Sequence, residues 1–280
     1  MKKKIYVVIL TILAVLICVP FFFLIIGSFM DTGELETYLG GIMNEELNQL
    51  ASWTLLPVYP TLRSYIQLFL DSPEFFVMFW NTVKITVLIL LGQLVMGVPA
   101  AWAFAQTSIP GKNKLFNLYV MLMLMPFQVT MLSNYLTLNQ LHLINTQWAV
   151  ILPAAFSTFP VFICYRFFRE IPKALIEAAE LDGAGRFRIF FTVGIPMASS
   201  GIIASMVLGF IEAWNMIEQP LVFLEDKSLW PLSLYLPNVN MSNIGLAFAA
   251  SVVTLIPSIL VFLGGQSYLE QGITASAVKG

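Results

Sequence analysis

The residues best equipped for chemistry in this chain are carboxylates and amides set in an apolar background. One group is the run from Glu177 to Pro196, EAAELDGAGRFRIFFTVGIP. Its acids, arginines, glycines and closing proline are residue types that a lipid-facing helix excludes. Carboxylates there can form charge-assisted hydrogen bonds with basic groups of a partner. A second group is Glu212, Asn215, Glu218 and Gln219, with Trp214 adjacent. Carboxylates and amides bind vicinal hydroxyls, and an aromatic face can cover a sugar ring. Glu212, Asn215 and Gln219 share one helical face within about 60°, with Trp214 turned about 100° or more from Asn215. Gln128, Thr130, Asn134 and Thr137 form a weaker third set.

Other chemistries find no support. His142 is the single histidine and has no HExxH partner set, and Cys18 and Cys164 lie in apolar runs as small hydrophobes. No GxxxxGK[ST] phosphate loop occurs, and Gly183-Ala184-Gly185 lacks both the lysine and a preceding strand. A net charge of −2 argues against a nucleic-acid partner.

The elements that must position these residues are membrane helices. Of 280 residues 58% are hydrophobic and 11% charged, and mean hydropathy is +0.83. Soluble domains carry about 25% charged residues, so this is a membrane chain. A span needs about 20 predominantly apolar residues. Six stretches meet that need, at roughly 5–30, 76–104, 115–138, 147–168, 197–224 and 243–265. The first begins with basic residues like a signal peptide, but its apolar run is too long and has no A-x-A site, so it reads as a retained span. Pro20, Pro99, Pro126, Pro153, Pro160 and Pro257 lie within these stretches and predict kinks.

Basic residues orient the chain. With the N-terminus inside, Lys2, Lys3, Lys4, Lys112, Lys114, Arg166, Arg169, Lys173, Arg186, Arg188 and Lys279 are cytoplasmic. Only Arg63 and Lys227 lie outside, and Lys84 sits within the second span. Both termini and the Glu177 segment are therefore expected in the cytoplasm. Fixed charge inside a span costs about 2.5–3.5 kcal/mol and so tends to face a cavity. For the Glu212 group the choice is between a translocation path and polar contacts with a neighbouring chain.

Outside, residues 31–74 form a long acidic loop with Glu45, Glu46, Trp53, Pro57, Tyr59 and Pro60, and a short helix is expected near 61–70. The loop EDKSLWPLSLYLPNVN is stiffened by Trp230, Pro231, Tyr235 and Pro237; it reads as an interfacial belt or as a docking loop. Pro172 suits the first position of a cytoplasmic helix from Lys173 to Asp182, and Gly183 suits its stop. Lys173, Glu177 and Glu180 share one face of it, opposite Ala174, Leu175, Ala178 and Ala179. A second amphipathic stretch, Ala184 to Val193, puts Phe187, Phe190 and Phe191 on its apolar side. Acids on the polar face suit a protein partner better than anionic lipid.

The segment resembles the EAA signature of ABC-importer permeases, E-A-A-x3-G-x9-I-x-L-P. Here the pattern falls on Glu177, Ala178, Ala179, Gly183, Val193, Ile195 and Pro196, with Val and Ile as mild departures. PTLRSYIQLF, MPFQVTMLSNYLTLNQLHLINT, FFREIPKALIEAAELDGAG, AWNMIEQPLVFL and GITASAVKG are similar to the carbohydrate branch, specifically the smaller permease of the maltose type. The likeness covers most of 55–280.

What the resemblance implies is an all-α membrane protein of six transmembrane helices, with cytoplasmic coupling helices at 172–193 between spans four and five. Residues 1–75 would be a first helix and long loop, and 76–280 a permease core ending in a cytoplasmic tail. Ala178 and Ala179 would lie in a coupling helix seated in a cleft of a separate ATPase subunit, with Glu177 reaching its basic residues, Asp182 and Gly183 at the turn, and Pro196 closing the motif. The chain would import a carbohydrate, of oligosaccharide size, by ATP-driven alternating access across the bacterial inner membrane. Its partners would be a second permease chain in a heterodimer, two ATPase subunits, an extracytoplasmic solute-binding protein facing loop 225–242, and lipid. ATP and Mg would bind the ATPases, leaving this chain without cofactor or catalytic residue. In the family the WN pair is common, but positions like Glu212, Glu218 and Gln219 are usually apolar, small or aromatic, a departure that could mark the solute. The alternatives are a permease for another solute, such as a polyamine or peptide, and an intramembrane enzyme, which lacks a catalytic set here.

Overall fold

The structure, a computed structural model, describes residues 2–43, 54, 56–108, 110–235 and 243–277, and among these it is all-helical. Glu45, Glu46, Trp53, Pro237 and the tail beyond Ala277 lie outside the described residues. The first helices are α1 (Lys2–Ser28), α2 (Thr32–Met43), α3 (Arg63–Ile66), α4 (Pro73–Gly92) and α5 (Val98–Gln106). Next come α6 (Lys112–Met123), α7 (Phe127–Gln140), α8 (Trp148–Ala155), α9 (Thr158–Glu170) and α10 (Lys173–Leu181). The last are α11 (Arg186–Ile189), α12 (Ile195–Met197), α13 (Ser199–Trp214), α14 (Glu218–Phe223) and α15 (Ile244–Ala277).

Four stretches are long and apolar enough to cross a membrane: Lys4–Ser28, Pro73–Gln106, Trp148–Glu170 and Ile244–Glu270. They coincide with the expected first, second, fourth and sixth spans. The expected third span is a bent pair, and the expected fifth, 197–224, begins at the bend of a second pair. Lys112–Met123 turns by 102° into Phe127–Gln140, and Arg186–Met197 turns by 73° into Ser199–Trp214. The first bend follows from Pro126, which has no N–H to donate and takes extended backbone at ψ 151. The fifth stretch differs more from expectation: its helix stops at Trp214, and α14 begins afresh at Glu218.

Chain contacts define two compact units, Met1–Val77 with Tyr235–Pro257 and Met78–Leu234 with Ser258–Gly280. In the first, Met30, Leu35, Ile244 and Phe248 form a core, and the Phe23 and Phe248 rings lie 5.8 Å apart. Ser28 and Tyr65 share a hydrogen bond of 2.7 Å, and the Glu34 carboxylate accepts from the Val58 and Tyr59 N–H groups. The short helix expected near 61–70 is α3, extended by a π-helical turn at Gln67–Asp71. Residues 4–22 of α1 are exposed throughout. An apolar helix bare along its length suits hydrocarbon and not water.

In the second unit α5, α9, the 190–194 segment and α13 pack around Val98, Ala101, Val161, Cys164, Phe168, Phe190, Ala198 and Ile202. Two π-helical segments, Gln93–Gly97 and Phe190–Gly194, run into Val98-Pro99 and Ile195-Pro196 respectively. A proline ring clashes with the carbonyl four residues back and offers no N–H, so a wider turn ahead of it relieves both problems. At the second segment Trp102 fills the groove, its ring 5.3 Å from Phe168 and 5.6 Å from Phe190. Gly194 makes this approach possible, because a Cβ there would lie 2.7 Å from Trp102. Among helices in lipid, where apolar burial gains little, such close packing is a main source of association energy.

Gly194→Val should therefore overpack this groove and destabilise the protein by about 1–3 kcal/mol. Thermal unfolding in detergent checks the loss, and the added change Trp102→Leu should recover part of it. An unaltered unfolding temperature in the single variant would remove the close approach as a source of stability.

Candidate functional site

The segment Glu177 to Pro196 is built from local rules. Pro172 has extended backbone and occupies the N-cap of α10, one residue before the expected first position. The helix ends in a Schellman motif: the Gly183 N–H donates to Glu180 O and the Ala184 N–H to Ala179 O, both at 3.0 Å. This turn requires a left-handed residue, and Gly183 supplies it at φ +79. Asp182 is the C-cap. Ile176 and Ala179 are half-buried, and Ile176 packs on the core around Phe168. Glu177, Ala178, Glu180, Asp182 and Pro196 are exposed. The alanine face expected to be opposite the acids is thus left largely bare by the chain itself.

The stretch after Gly183 is not one amphipathic helix. After α11 the π turn places Phe190 in the core, 7% exposed, while Phe187 stays 84% and Phe191 61% exposed. The expected three-phenylalanine face is divided by that wider turn. Leu181 and Phe187 join Ala178 as uncovered apolar groups beside the carboxylates.

The Glu212 group is also rearranged. With the helix ending at Trp214, the single face expected for Glu212, Asn215 and Gln219 does not form. Asn215 is the C-cap and donates its Nδ2 to Ile211 O at 2.8 Å. Trp214 is buried, stacked 5.3 Å from Phe210 and edge-on to Phe79. Glu218 accepts from Gln128 Nε2 at 2.6 Å, joining the starts of α14 and α7 just beyond two helix breaks. Glu212 and Gln219 do come together, across a cavity of about 510 Å³ that Asn134 and Thr130 also line. Trp214, Asn215, Glu218 and Gln128 are not among its lining residues.

This cavity lies wholly within the second unit and is ringed by helix interruptions. Met123, Met125 and Phe127 come from the 124–126 break, Phe156, Ser157 and Thr158 from the α8–α9 break, and Met216 and Gln219 from the 215–217 break. Irregular backbone at membrane depth is tolerated where it is buried or lines a cavity. Phe127, Phe156, Phe159 and Phe223 add aromatic surface. The contribution of Ser157, Thr158 and Gln93 was not read from the sequence. Gln93 alone carried a signal, as an amide inside the apolar run LLGQLVMG.

Loop 225–234 is docked within the second unit, not free. Asn81 Nδ2 donates to Ser228 O and Trp230 O, Trp230 Nε1 to Leu224 O, and the Leu232 N–H to Thr82 Oγ1. Asn145, at φ 60, accepts from the Glu225 and Asp226 N–H groups. His142 lies in the preceding turn at φ 56, and no group of three or more possible metal ligands occurs among the described residues.

A family model described as the binding-protein-dependent transport system inner membrane component matches residues 91–275. Over 79% of its length the chain is 30% identical to the arabinooligosaccharides transport system permease protein AraQ of Halalkalibacterium halodurans, covering 80% of that protein. Over 89% of its length it is 31% identical to the diacetylchitobiose uptake system permease protein NgcG of Streptomyces coelicolor, again covering 80%. Among solved structures, a chain of a bacterial ABC transporter involved in the import of the acidic polysaccharide alginate matches with a TM-score of 0.81 over 95% of both chains. At 23% identity that likeness speaks to the fold.

The Gln128–Glu218 contact should show a coupling of about 1 kcal/mol in a double-mutant cycle with Gln128→Ala and Glu218→Ala, read from unfolding in detergent. Additive single effects would mean that the two broken helices do not depend on each other here. The loop makes a separate pH prediction. The Ser228 N–H donates to the Asp226 carboxylate at 2.9 Å and lowers its pKa. That cap is fully present above the unfolded Asp value of about 3.9 and is lost as pH falls through the lowered folded value. The share of emission contributed by Trp230, whose ring lies 5.6 Å from Lys227 Nζ, should stay constant down to pH of about 4 and change below it. Asp226→Asn keeps a capping oxygen without a titrating group and should abolish the change.

Proposed function

Because the chain belongs to the family of binding-protein-dependent transport system inner membrane components, we propose that it is the permease subunit of an ATP-driven carbohydrate importer. The observation that carries the solute class is the cavity lining. Amides, hydroxyls and one carboxylate stand beside phenyl rings in about 510 Å³, the combination that binds a polyhydroxylated ring. The printed functions of the arabinooligosaccharide and diacetylchitobiose permeases favour the same class. Glu212, Gln219 and Asn134 are the residues of this chain that would meet the solute. Gln128 with Glu218, and Asn215, would hold the broken helices around it.

In this reading the chain crosses the bacterial inner membrane six times, with the bent pair Lys112–Met123 and Phe127–Gln140 serving as the third span and α13 with α14 as the fifth. Both termini and the Glu177 segment are cytoplasmic, as the Lys and Arg distribution requires. The chain pairs with a second, different permease subunit, two ATPase subunits and an extracytoplasmic solute-binding protein. ATP and Mg bind the ATPases, and this chain has no catalytic role. Glu177 and Ala178 are exposed on a helix whose end is pinned by Gly183, a rigid projection suited to a cleft on the ATPase. The Trp102–Phe190 contact ties that projection to α5 and α9, so movement of the docked helix reaches the spans.

Two measurements test this. Glu177→Lys should reduce ATPase co-purification and solute uptake at least tenfold while membrane insertion is retained. Full assembly and uptake in that variant would refute the docking role. Neutral oligosaccharides should stimulate the ATPase of the assembled transporter with its binding protein, whereas stimulation by peptides or polyamines alone would overturn the carbohydrate assignment.

A further inference from the structure

Two amides of the second unit grip loop 225–234 by its backbone. Asn81 Nδ2 donates to Ser228 O at 2.7 Å and to Trp230 O at 3.1 Å. Gln147 Nε2 donates to Leu229 O at 3.4 Å and to Asn81 Oδ1 at 2.8 Å. Three successive loop carbonyls are thus received by side chains of α4 and of the α8 N-cap. Flipping the Asn81 amide would set its oxygen against two carbonyls, so the donor direction is fixed. The Leu232 N–H adds a bond to Thr82 Oγ1 at 2.7 Å. Gln147 is 7% exposed, and a carbonyl left without a donor in such surroundings is unfavourable.

These amides form the outer layer of a wall whose inner layer is the cavity lining. On α4, Asn81, Ile85 and Ile89 are spaced four apart and share a face. Gln147, Ile151 and Ala154 follow the same course on α8. Behind the amides, Ile85 and Ile151 belong to a buried cluster with Leu224, and Leu229 and Trp230 of the loop pack against it. Ile89, Val150, Ala213 and Met216 of that cluster line the cavity, whereas Ile85, Ile151 and Leu224 do not. From Asn81 to Ile89 the helix rises about 12 Å. The loop therefore covers one side of an apolar layer, and the cavity lies on the other.

We propose that Asn81 and Gln147 are positioning residues that hold loop 225–234 as a fixed outer seal over the cavity, so that solute enters beside the loop and not beneath it. A hydrogen-bonded network of this kind rigidifies what it joins, and the loop moves with α4 and α8 as one piece. This role rests on the permease reading above, and it adds to that reading a side from which solute and water are excluded.

The test is thiol labelling of the assembled transporter in right-side-out membrane vesicles, with a membrane-impermeant maleimide added outside. Cys18→Ser and Cys164→Ser remove the native thiols, and Ile85→Cys or Ile151→Cys places a reporter beneath the loop. Ser228→Cys, at an exposed loop position, supplies the reference rate. Both reporters should label on the order of a hundredfold more slowly than the reference, because the reagent must await a local opening. Gln147→Leu removes two donors, and Asn81→Asp sets a carboxylate against two carbonyls. Each should speed reporter labelling on the order of tenfold while assembly is retained. Vesicles loaded with ATP and vesicles without it should protect the reporters equally. Reporters that label at the reference rate, or that stay protected in both amide variants, overturn the seal. Protection that changes with ATP overturns its fixed character and makes the loop a gate. Reporters on two helices keep the test decisive if one variant fails to fold. Labelling needs no transported solute, so protected reporters in a transporter that no sugar stimulates would refute the carbohydrate reading and leave the seal standing.

Discussion

Each helix interruption at membrane depth frees backbone groups that hydrocarbon does not satisfy, and the second unit is arranged around that constraint. At 124–126 the chain turns by 102° at a proline, at 156–157 α8 gives way to α9, and at 215–217 α13 gives way to α14. Their freed groups are met from within. Asn215 caps its own helix, Ser233 donates to the Met216 carbonyl, the Ser157 hydroxyl accepts from the Phe159 N–H, and Gln93 donates to Ala154 O. What these devices leave open is the cavity, and two of the residues that serve the breaks, Gln93 and Ser157, line it. The site therefore follows from how the spans are broken.

The same unit roots the projecting segment in its core through aromatic packing. Phe190 follows α11 directly, and its ring meets Trp102 of α5 and Phe168 of α9. The approach of Trp102 depends on Gly194, and the π turn before Pro196 directs Phe190 inward while Phe187 and Phe191 point out. This division gives the segment a packed root and a bare tip. Leu181, Phe187, Glu177 and Ala178 stay uncovered by the chain, and Phe190 anchors the segment.

Much of this was legible in residue order. Spans one, two, four and six show in the length of their apolar runs, and the bend at Pro126 in a residue without an N–H. Gly183 announced a left-handed stop, and the acids around it announced exposure. The interior of the fifth stretch was not legible. Periodicity over 197–224 predicts a face shared by Glu212, Asn215 and Gln219, because a regular rotation per residue assumes an unbroken helix. Nothing local in AWNMIEQP marks the end at Trp214 more strongly than its continuation. Asn215 takes the C-cap in the presence of packing that no window of sequence contains, including Trp214 against Phe79 and Ser233 against Met216.

By itself, then, the sequence determined the apolar spans, the polar segment between them with its turn at Gly183, and the charge bias that orients them. These depend on composition and on spacing within a few residues. Only the tertiary structure decided which polar groups face the cavity. It brought Glu212 and Gln219 together from either side of a break, withdrew Trp214 into the core, paired Glu218 with Gln128, and set Gln93 beside Gly209. Those placements are contacts between residues far apart in the chain, fixed by how closely helices approach and by where freed backbone groups find partners.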